Sequence, residues 1–211
     1  SSINPGSGKS HLAANMAMSL AIKKKKVLLI DGDLRHGSTS MVVGSPGEGL
    51  SDYLNGRVSD IHDIICKGEE SGLVKYFDIL PIGTIPPNPT ELLFTPLLEQ
   101  MIKQVRQEYD YVFIDCPPIE IVADTPIYEQ YADRTIFVVR AGLMERSMLP
   151  DVEELYKEKK FKNMSLILNG TKTHGGKYGS HYGYGYGYGY GYNYHYGSDK
   201  GGAKVGNWTI G

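Results

Sequence analysis

The sequence predicts an α/β fold in which a mostly parallel sheet is flanked by helices on both faces. Short apolar runs rich in branched residues alternate with helical patterns, which is typical of parallel strands joined by right-handed crossovers. The runs are nearly continuous rather than alternating, so each strand is expected to be buried on both faces. The expected strands are Val27–Ile30, Phe77–Ile82, Tyr111–Ile114, Thr135–Val139 and Met164–Leu168.

Three helical patterns alternate with these strands, the first of them before Val27–Ile30, and each carries an apolar stripe at helical spacing. The second follows Pro89, with Thr90 as its expected N-cap. The stripes consist of Leu12, Met16 and Leu20 beside Ala13, Ala17 and Ala21, of the apolar series from Leu92 to Val105, and of Val152, Leu155 and Tyr156.

Length and composition predict one folded domain followed by a tail. The chain has 211 residues, of which 41% are hydrophobic, enough to bury a core. The domain is expected over residues 1–170 and the tail over residues 171–211. The tail alternates Gly with Tyr and has almost no aliphatic residues, so it is predicted to be flexible because ordered glycines cost extra backbone entropy. The alternative is a strand with every tyrosine on one face.

Charge and cysteine content exclude some classes of function. The formal net charge of −2 gives no reason to expect a nucleic-acid partner. No apolar run approaches the ~18–20 residues needed to cross a bilayer. Two cysteines cannot build a disulfide framework, which favours a reducing cytoplasm.

A glycine-rich segment near the start predicts a phosphate-binding loop. Gly6, Ser7, Gly8, Lys9 and Ser10 stand directly before the first helix. Glycines let backbone N–H groups close around phosphate oxygens, and the helix N-terminus adds a partial charge of about +0.5. Lys9 is expected to reach the β- and γ-phosphates, and the Ser10 hydroxyl to ligate Mg²⁺. The usual first glycine is replaced by isoleucine, so the segment taken alone could be a chance loop.

Acidic residues at the ends of two apolar strands favour the phosphate loop over a chance loop. Asp31 and Asp33 end the first strand and, at a spacing of two, are expected to project to the same side. Asp115 ends the third strand. One such carboxylate alone is often only a turn former. Because ligands bind at the carboxyl ends of parallel strands, the three together predict a Mg-nucleotide site.

These residues resemble the bacterial tyrosine kinases of capsule and exopolysaccharide export, a family of P-loop NTPases. That family carries a Walker A loop, a Walker A′ strand ending in D-x-D-x-R and a Walker B strand, which here end at Ser10, Arg35 and Asp115. The resemblance extends over nearly the whole chain. Further similar segments are G-L-S-x-x-L-x-G at 49–56, L-P-x-G at 80–83, P-P-N-P-x-E-L-L at 86–93, V-V-R-A-G at 138–142 and L-I-L-N-G at 166–170.

The resemblance implies that the chain binds ATP and Mg²⁺ and transfers phosphate. Either Asp31 or Asp33 would be the general base, and Asn169 would contact the adenine edge. The implied nucleotide-binding residues are Gly6, Ser7, Gly8, Lys9, Ser10, His11 and Asn169. The implied catalytic residues are Lys9, Asp31, Asp33 and Asp115, and the implied metal ligands are Ser10, Asp31 and Asp115.

The tyrosine-rich tail is expected to be the substrate. The chain has sixteen tyrosines, nine of them between Tyr178 and Tyr196. The resemblance implies autophosphorylation in trans within a homo-oligomer, and the alternative is a tail that associates through aromatic contacts. The expected acceptors are Tyr182, Tyr184, Tyr186, Tyr188, Tyr190, Tyr192, Tyr194 and Tyr196.

The resemblance also implies a location at the inner face of the bacterial cell membrane. The implied partners are a membrane-spanning polysaccharide co-polymerase segment or subunit and a tyrosine phosphatase. No strand precedes Ser1, so an upstream region is expected to be missing from the chain.

Two alternative functions stay open. One is a partitioning- or division-type ATPase that switches dimerisation, and the other is a non-catalytic, nucleotide-gated scaffold of an export complex. Partitioning ATPases usually carry a signature lysine where this chain has Asn4, and they lack a tyrosine tail. Both differences favour the kinase.

Overall fold

The computed structural model describes residues 1–119 and 124–171. Residues 172–211, with all the expected phosphoacceptors, lie outside the described part. Within that part no helix is long and apolar enough to cross a bilayer. The strands are β1 (Val27–Asp31), β2 (Phe77–Leu80), β3 (Tyr111–Asp115), β4 (Ile136–Arg140) and β5 (Ser165–Asn169). The α-helices are α1 (Lys9–Ile22), α2 (Leu50–Leu54), α3 (Pro89–Leu93), α4 (Pro96–Glu108), α5 (Asp124–Glu129) and α6 (Leu149–Lys157), and short 3₁₀ helices cover Ser40–Val43, Ile61–Ile64 and Arg146–Met148.

The five strands pair in parallel, as expected, but they form two sheets instead of one. In the first sheet β1 lies between β2 and β3, and in the second β4 pairs with β5. Ser1 and Ser2 lie between the sheets. The Ser1 amino group donates to Ile136 O at 2.8 Å and its carbonyl accepts from Val138 N at 2.8 Å, while Ser2 O accepts from Ile119 N at 2.9 Å. The first two residues therefore connect β4 with the segment that follows β3.

Helices cover both faces of the three-stranded sheet, as predicted. Successive β1 residues alternate between the faces: Leu29 packs in the cluster with α1, and Leu28 and Ile30 pack in the cluster with α2, α3 and α4. None of the three has exposed surface. Burying a side chain of this size stabilises the fold by about 1.5–3 kcal/mol, so the central strand anchors both layers of helices.

The two-stranded sheet is covered less completely. Phe137 and Val139 on β4 pack with Val152 of α6. Leu166 and Leu168 of β5 pair with those two residues in the register, yet they remain 54% and 55% exposed. The prediction that every strand is buried on both faces is therefore wrong for β5, because α6 covers β4 and leaves its neighbour open. It is also wrong for β3, an edge strand of the first sheet, in which Tyr111 is 45% exposed and the next three residues are only partly buried.

Helix α1 faces the sheet through its alanines. Ala17 and Ala21 are buried against β1 and β2, whereas Leu12, Met16 and Leu20 are only partly buried. The predicted stripe lies on the correct side of the helix, but its small residues rather than its large ones make the closest approach.

The helix predicted to begin at Thr90 is two helices. Asn88, rather than Thr90, is the N-cap of α3, and Thr90 instead accepts a hydrogen bond from Arg35 Nη2 at 2.8 Å. Thr95 has an extended ψ of 147° because a residue before proline disfavours the helical conformation. Pro96 then starts α4 at a position where its missing N–H is not needed.

Candidate active site

The phosphate loop leads directly into the N-terminus of α1. Gly6 and Gly8 have φ angles of 72° and 91°, left-handed conformations that favour glycine. Within the loop, the Asn4 carbonyl oxygen accepts hydrogen bonds from the hydroxyls of Ser2 and Ser7, each at 2.8 Å. These bonds turn the chain tightly into the helix, whose first N–H groups have no partner within the helix and can receive an anion.

Lys9 and Ser10 lie beside Asp115 at the end of β3. Thr39 Oγ1 donates to Asp115 Oδ2 at 2.9 Å, and the Ser10 hydroxyl lies near enough to this carboxylate to lower its pKa. Burial raises the pKa of Asp115, while the hydroxyls of Ser10 and Thr39 and the charge of Lys9 oppose that rise. Burial also lowers the pKa of Lys9, and the charges of Asp115 and Asp33 oppose that change. The charges of Lys9 in the loop and of Asp115 at the end of β3 therefore stabilise each other.

Asp31, the register partner of Asp115 on β1, is fully buried and held by Ser40. The backbone N–H and the hydroxyl of Ser40 both donate to Asp31 Oδ2 at 2.7 Å, and the hydroxyl oxygen accepts from Ile82 N at 2.8 Å. Burial raises the pKa of Asp31 to about 6, against the effect of the two Ser40 bonds. The carboxylate is therefore fixed in place and expensive to ionise.

Asp33 lies beyond the end of β1, in a turn. Its side chain is 14% exposed, Arg35 N donates to its Oδ1 at 3.2 Å, and His36 Nδ1 lies 3.1 Å from its Oδ2. Since β1 ends at Asp31, the alternation of side chains along a strand does not extend to Asp33. The two carboxylates nevertheless belong to one site, because Asp33 acts on Lys9 and Asp31 adjoins Asp115.

Asn169 contacts the loop from the end of β5, and His11 follows it on α1. Asn169 Nδ2 donates to Ser7 O at 2.9 Å, and on the neighbouring strand Arg140 Nη1 donates to Gly6 O at 2.7 Å. The His11 side chain is exposed on the first turn of α1. The residues expected to bind nucleotide thus lie in the loop, on the first turn of α1 and at the end of β5, with Asn169 bonded to the loop backbone.

Three site residues were missed by sequence reasoning: Thr39, Ser40 and Arg140. The two hydroxyl residues lie in a turn rich in Gly and Ser, where such side chains carry no distinguishing signal. Arg140 lies in the V-V-R-A-G segment, and an arginine at the carboxyl end of a buried strand was the signal available.

The backbone next to the carboxylates is closely packed around Gly32. A Cβ on Gly32 would lie 3.0 Å from the Asp115 carbonyl oxygen and 3.2 Å from the Tyr128 ring, so only glycine fits there without movement. Gly32 N donates to that carbonyl at 2.9 Å, and the Tyr128 hydroxyl donates to Gly32 O at 3.3 Å. Cys116 follows Asp115, and burial raises the pKa of its thiol to about 12.

Comparison with known proteins places the chain in a family. A protein-family model described as an AAA domain matches residues 3–157. The tyrosine-protein kinase CpsD of Streptococcus agalactiae is 34% identical over 182 residues, which are 85% of this chain and 77% of that relative. The chain belongs to the bacterial tyrosine-protein kinases. A putative tyrosine-protein kinase in the cps region of Klebsiella pneumoniae is 35% identical over 186 residues, 85% of this kinase but 24% of that relative.

Solved structures confirm the P-loop NTPase fold of the kinase. The kinase domain of the Escherichia coli tyrosine kinase ETK superposes with a TM-score of 0.74 at 29% identity, covering 89% of this chain and 71% of that one. The septum site-determining protein MinD from Pyrococcus horikoshii OT3, complexed with Mg-ADP, superposes with a TM-score of 0.62 at 26% identity, covering 78% and 66%.

The donor atoms of the kinase fit Mg²⁺. This ion prefers oxygen ligands, keeps several waters and commonly takes only one or two carboxylates from the protein. Ser10 and Asp115 offer a hydroxyl and a carboxylate next to the phosphate loop. Among residues 1–119 and 124–171, no group of three or more His, Cys, Asp and Glu side chains could hold a metal ion. A site that shares its ion with a nucleotide does not require one.

Proposed function

We propose that the kinase transfers the γ-phosphoryl group of ATP to tyrosine hydroxyls of its own C-terminal segment. The observation that carries this proposal is the meeting of Lys9, Ser10 and Asp115 at the N-terminus of α1. Phosphoryl transfer depends mainly on positioning and on neutralising charge. This corner supplies a cation, a hydroxyl, a carboxylate and the N–H groups of a helix start. The acceptors would be Tyr182, Tyr184, Tyr186, Tyr188, Tyr190, Tyr192, Tyr194 and Tyr196.

Each residue of the loop would have a defined task. The N–H groups of residues 6–10 would hold the phosphates, and Lys9 would reach the β- and γ-phosphate oxygens. Ser10 and Asp115 would hold Mg²⁺, with Asp31 beside them. Bound there, the ion would neutralise charge on the phosphate oxygens. Thr39 would keep the Asp115 carboxylate in orientation through its 2.9 Å bond.

Asp33 suits the role of general base better than Asp31. The side chain of Asp31 has no exposed surface, and one of its oxygens accepts two short bonds from Ser40. Asp33 is partly exposed at the mouth of the site, where a tyrosine hydroxyl can approach it. With this assignment Asp33→Asn would lower kcat and leave the affinity for ATP nearly unchanged, whereas Asp31→Asn would change both.

Mass-spectrometric mapping of phosphotyrosine tests the proposed reaction. The protein, expressed from its complete reading frame, is incubated with Mg-ATP beside Lys9→Met and the control Lys25→Met, which makes the same change in the exposed turn after α1. Phosphate on Tyr182–Tyr196 is expected in the wild type and in the control, and it should disappear in Lys9→Met.

The same measurement separates the alternatives. Unmodified tyrosines in a protein that hydrolyses ATP would overturn the proposal in favour of a division-type ATPase, the kind of function that the likeness to MinD supports. Unmodified tyrosines in a folded protein that binds but does not hydrolyse ATP would favour a nucleotide-gated scaffold.

We further propose that the reaction regulates capsular or exopolysaccharide polymerisation and export. The support is the Klebsiella relative in a cps region, in which the matched stretch is a minor part of a longer chain. The kinase would then act as a homo-oligomer at the inner face of the cell membrane, with a membrane-spanning co-polymerase and a tyrosine phosphatase. Lys9→Met introduced into the chromosome should shorten or abolish the surface polymer, and normal polymer would contradict this role.

A further inference from the structure

Two side chains from the smaller sheet donate hydrogen bonds to the backbone of the phosphate loop. Arg140 Nη1 donates to Gly6 O at 2.7 Å, and Asn169 Nδ2 donates to Ser7 O at 2.9 Å. Arg140 and Asn169 are register partners at the carboxyl ends of β4 and β5. Two adjacent strands therefore present two donors to the carbonyl groups of two consecutive loop residues.

The geometry of the peptide bond gives these contacts a consequence for ligand binding. In a trans peptide the carbonyl of one residue and the N–H of the next point in opposite directions, and the structure has no cis peptide bond in its described residues. Holding the carbonyls of Gly6 and Ser7 toward the small sheet therefore turns the N–H groups of Ser7 and Gly8 away from it. Those N–H groups belong to the set that would face the phosphates.

We propose that Arg140 and Asn169 are positioning residues that hold the phosphate loop in its nucleotide-binding conformation before the nucleotide binds. This inference rests on the proposed function, because it assumes that the loop binds ATP. It differs from the sequence-based role of Asn169, which placed that side chain at the adenine edge.

Two glycines leave space for the side chains of Arg140 and Asn169. A Cβ on Gly8 would lie 2.4 Å from Asn169 Nδ2, and a Cβ on Gly170 would lie 3.1 Å from Arg140 Cγ. Gly170 also has a φ of 68°. The space for both donors thus depends on residues without side chains, one in the loop and one directly after β5.

Binding measurements with three ligands separate this role from an adenine contact. The variants are Arg140→Met, the conservative Arg140→Lys and Asn169→Leu, with Arg146→Met as a control at an exposed arginine nearby. The ligands are Mg-ATP, Mg-GTP and magnesium tripolyphosphate, which shares the phosphates and has no base. Urea unfolding of each variant checks that the fold is intact.

If the two side chains position the loop, each variant should lose the same factor of affinity for all three ligands. Arg140→Met and Asn169→Leu should each raise Kd by about 5- to 20-fold, the range expected for one hydrogen bond from a charged or well-oriented donor. Arg140→Lys should recover part of the loss, and Arg146→Met should change nothing. In kinase assays KM for ATP should rise with kcat little changed, as expected when ground state and transition state lose the same interaction.

Other results would overturn the inference. A loss for Asn169→Leu that is confined to ATP, with tripolyphosphate unaffected, would return that residue to the adenine edge. Unchanged Kd values in Arg140→Met and Asn169→Leu would exclude positioning while leaving the proposed function intact. A wild-type protein that binds none of the ligands would overturn the proposed function, and the inference with it.

Discussion

At the scale of single residues, hydroxyl groups keep the acidic side chains of the site in order. Thr39 and Ser40 are consecutive, and each bonds a carboxylate on a different strand, Asp115 and Asp31. Ser40 also accepts the N–H of Ile82, just beyond β2. One short turn therefore connects the ends of all three strands of the larger sheet.

Replacing Ser40 by alanine is expected to destabilise the kinase by about 1–3 kcal/mol, because a buried carboxylate and a buried N–H each lose a partner. The pKa of Asp31 should rise further above about 6, since the hydroxyl bond that opposes the effect of burial is removed. Urea unfolding beside Ser38→Ala, at the exposed position two residues earlier, measures the difference. Equal stability of the two variants would show that the turn does not depend on this hydroxyl.

His62 should make stability depend on pH at the opposite end of the fold. Its Nε2 lies 2.9 Å from Glu108 Oε2 and its Nδ1 2.6 Å from Asp60 Oδ1, and these bonds raise the pKa of the imidazole. A raised histidine pKa stabilises the fold fully below the unfolded value of about 6.5. That stabilisation is lost as pH rises through the higher folded value.

Thermal unfolding across a pH series checks this expectation. His62→Gln should melt below the wild type in mildly acidic buffer, and the two curves should converge as the solution becomes alkaline. Glu108→Gln should weaken the same dependence, since the bond to Glu108 is the largest cause of the raised pKa, followed by the bond to Asp60. A difference between wild type and His62→Gln that does not vary with pH would contradict the ion pair.

At the scale of elements, the predicted strands agree with the structure to within two residues at each end. Buried runs of branched residues are a strong local signal, and Asp and Pro mark where those runs stop. The division of the second helix could also have been read from the sequence, because Pro96 restricts Thr95. The exposure of β5 could not, since it depends on which strand α6 covers. Contacts such as Ser40 with Asp31 join separate turns and leave no periodic pattern.

The apolar face of α4 gives a test at this scale. Leu98 has no exposed surface and packs in the larger core, whereas Leu168 on β5 is 55% exposed. Leu98→Ala is expected to cost about 2–5 kcal/mol of unfolding free energy. Leu168→Ala should stay within about 0.5 kcal/mol, as is usual for surface changes. Denaturant titrations of both variants measure this, and similar losses would mean that β5 is covered in solution.

At the scale of the whole molecule, the phosphate loop is held by both sheets. The backbone of Ser1 and Ser2 connects β4 with the segment after β3, the Ser10 hydroxyl lies beside Asp115 at the end of β3, and the side chains of Arg140 and Asn169 reach the loop from the smaller sheet. The motifs in the sequence predicted where the loop lies. Its hydrogen bonds to Arg140 and Asn169 of the second sheet could not be predicted, because the motifs do not specify side-chain directions.

Phosphorylation between molecules gives a test of the assembled kinase. Lys9→Met, with its tyrosines intact, is mixed with an otherwise wild-type protein in which Tyr182–Tyr196 are all phenylalanine. Transfer in trans should place phosphate on the Lys9→Met chain, because that chain alone has acceptors and the other alone has the intact loop. Mass spectrometry distinguishes the two chains, and a bare Lys9→Met chain would restrict the reaction to a single molecule.

Cys116 gives the kinase a built-in chemical reporter. Cys116 as a residue is only 9% exposed, and burial raises the pKa of its thiol to about 12, so the thiol reacts poorly while the end of β3 stays folded. Alkylation at that position therefore requires local opening of the segment that carries Asp115. Its rate, compared with that of the less buried Cys66, reports how often the proposed catalytic site opens while the rest of the molecule stays folded.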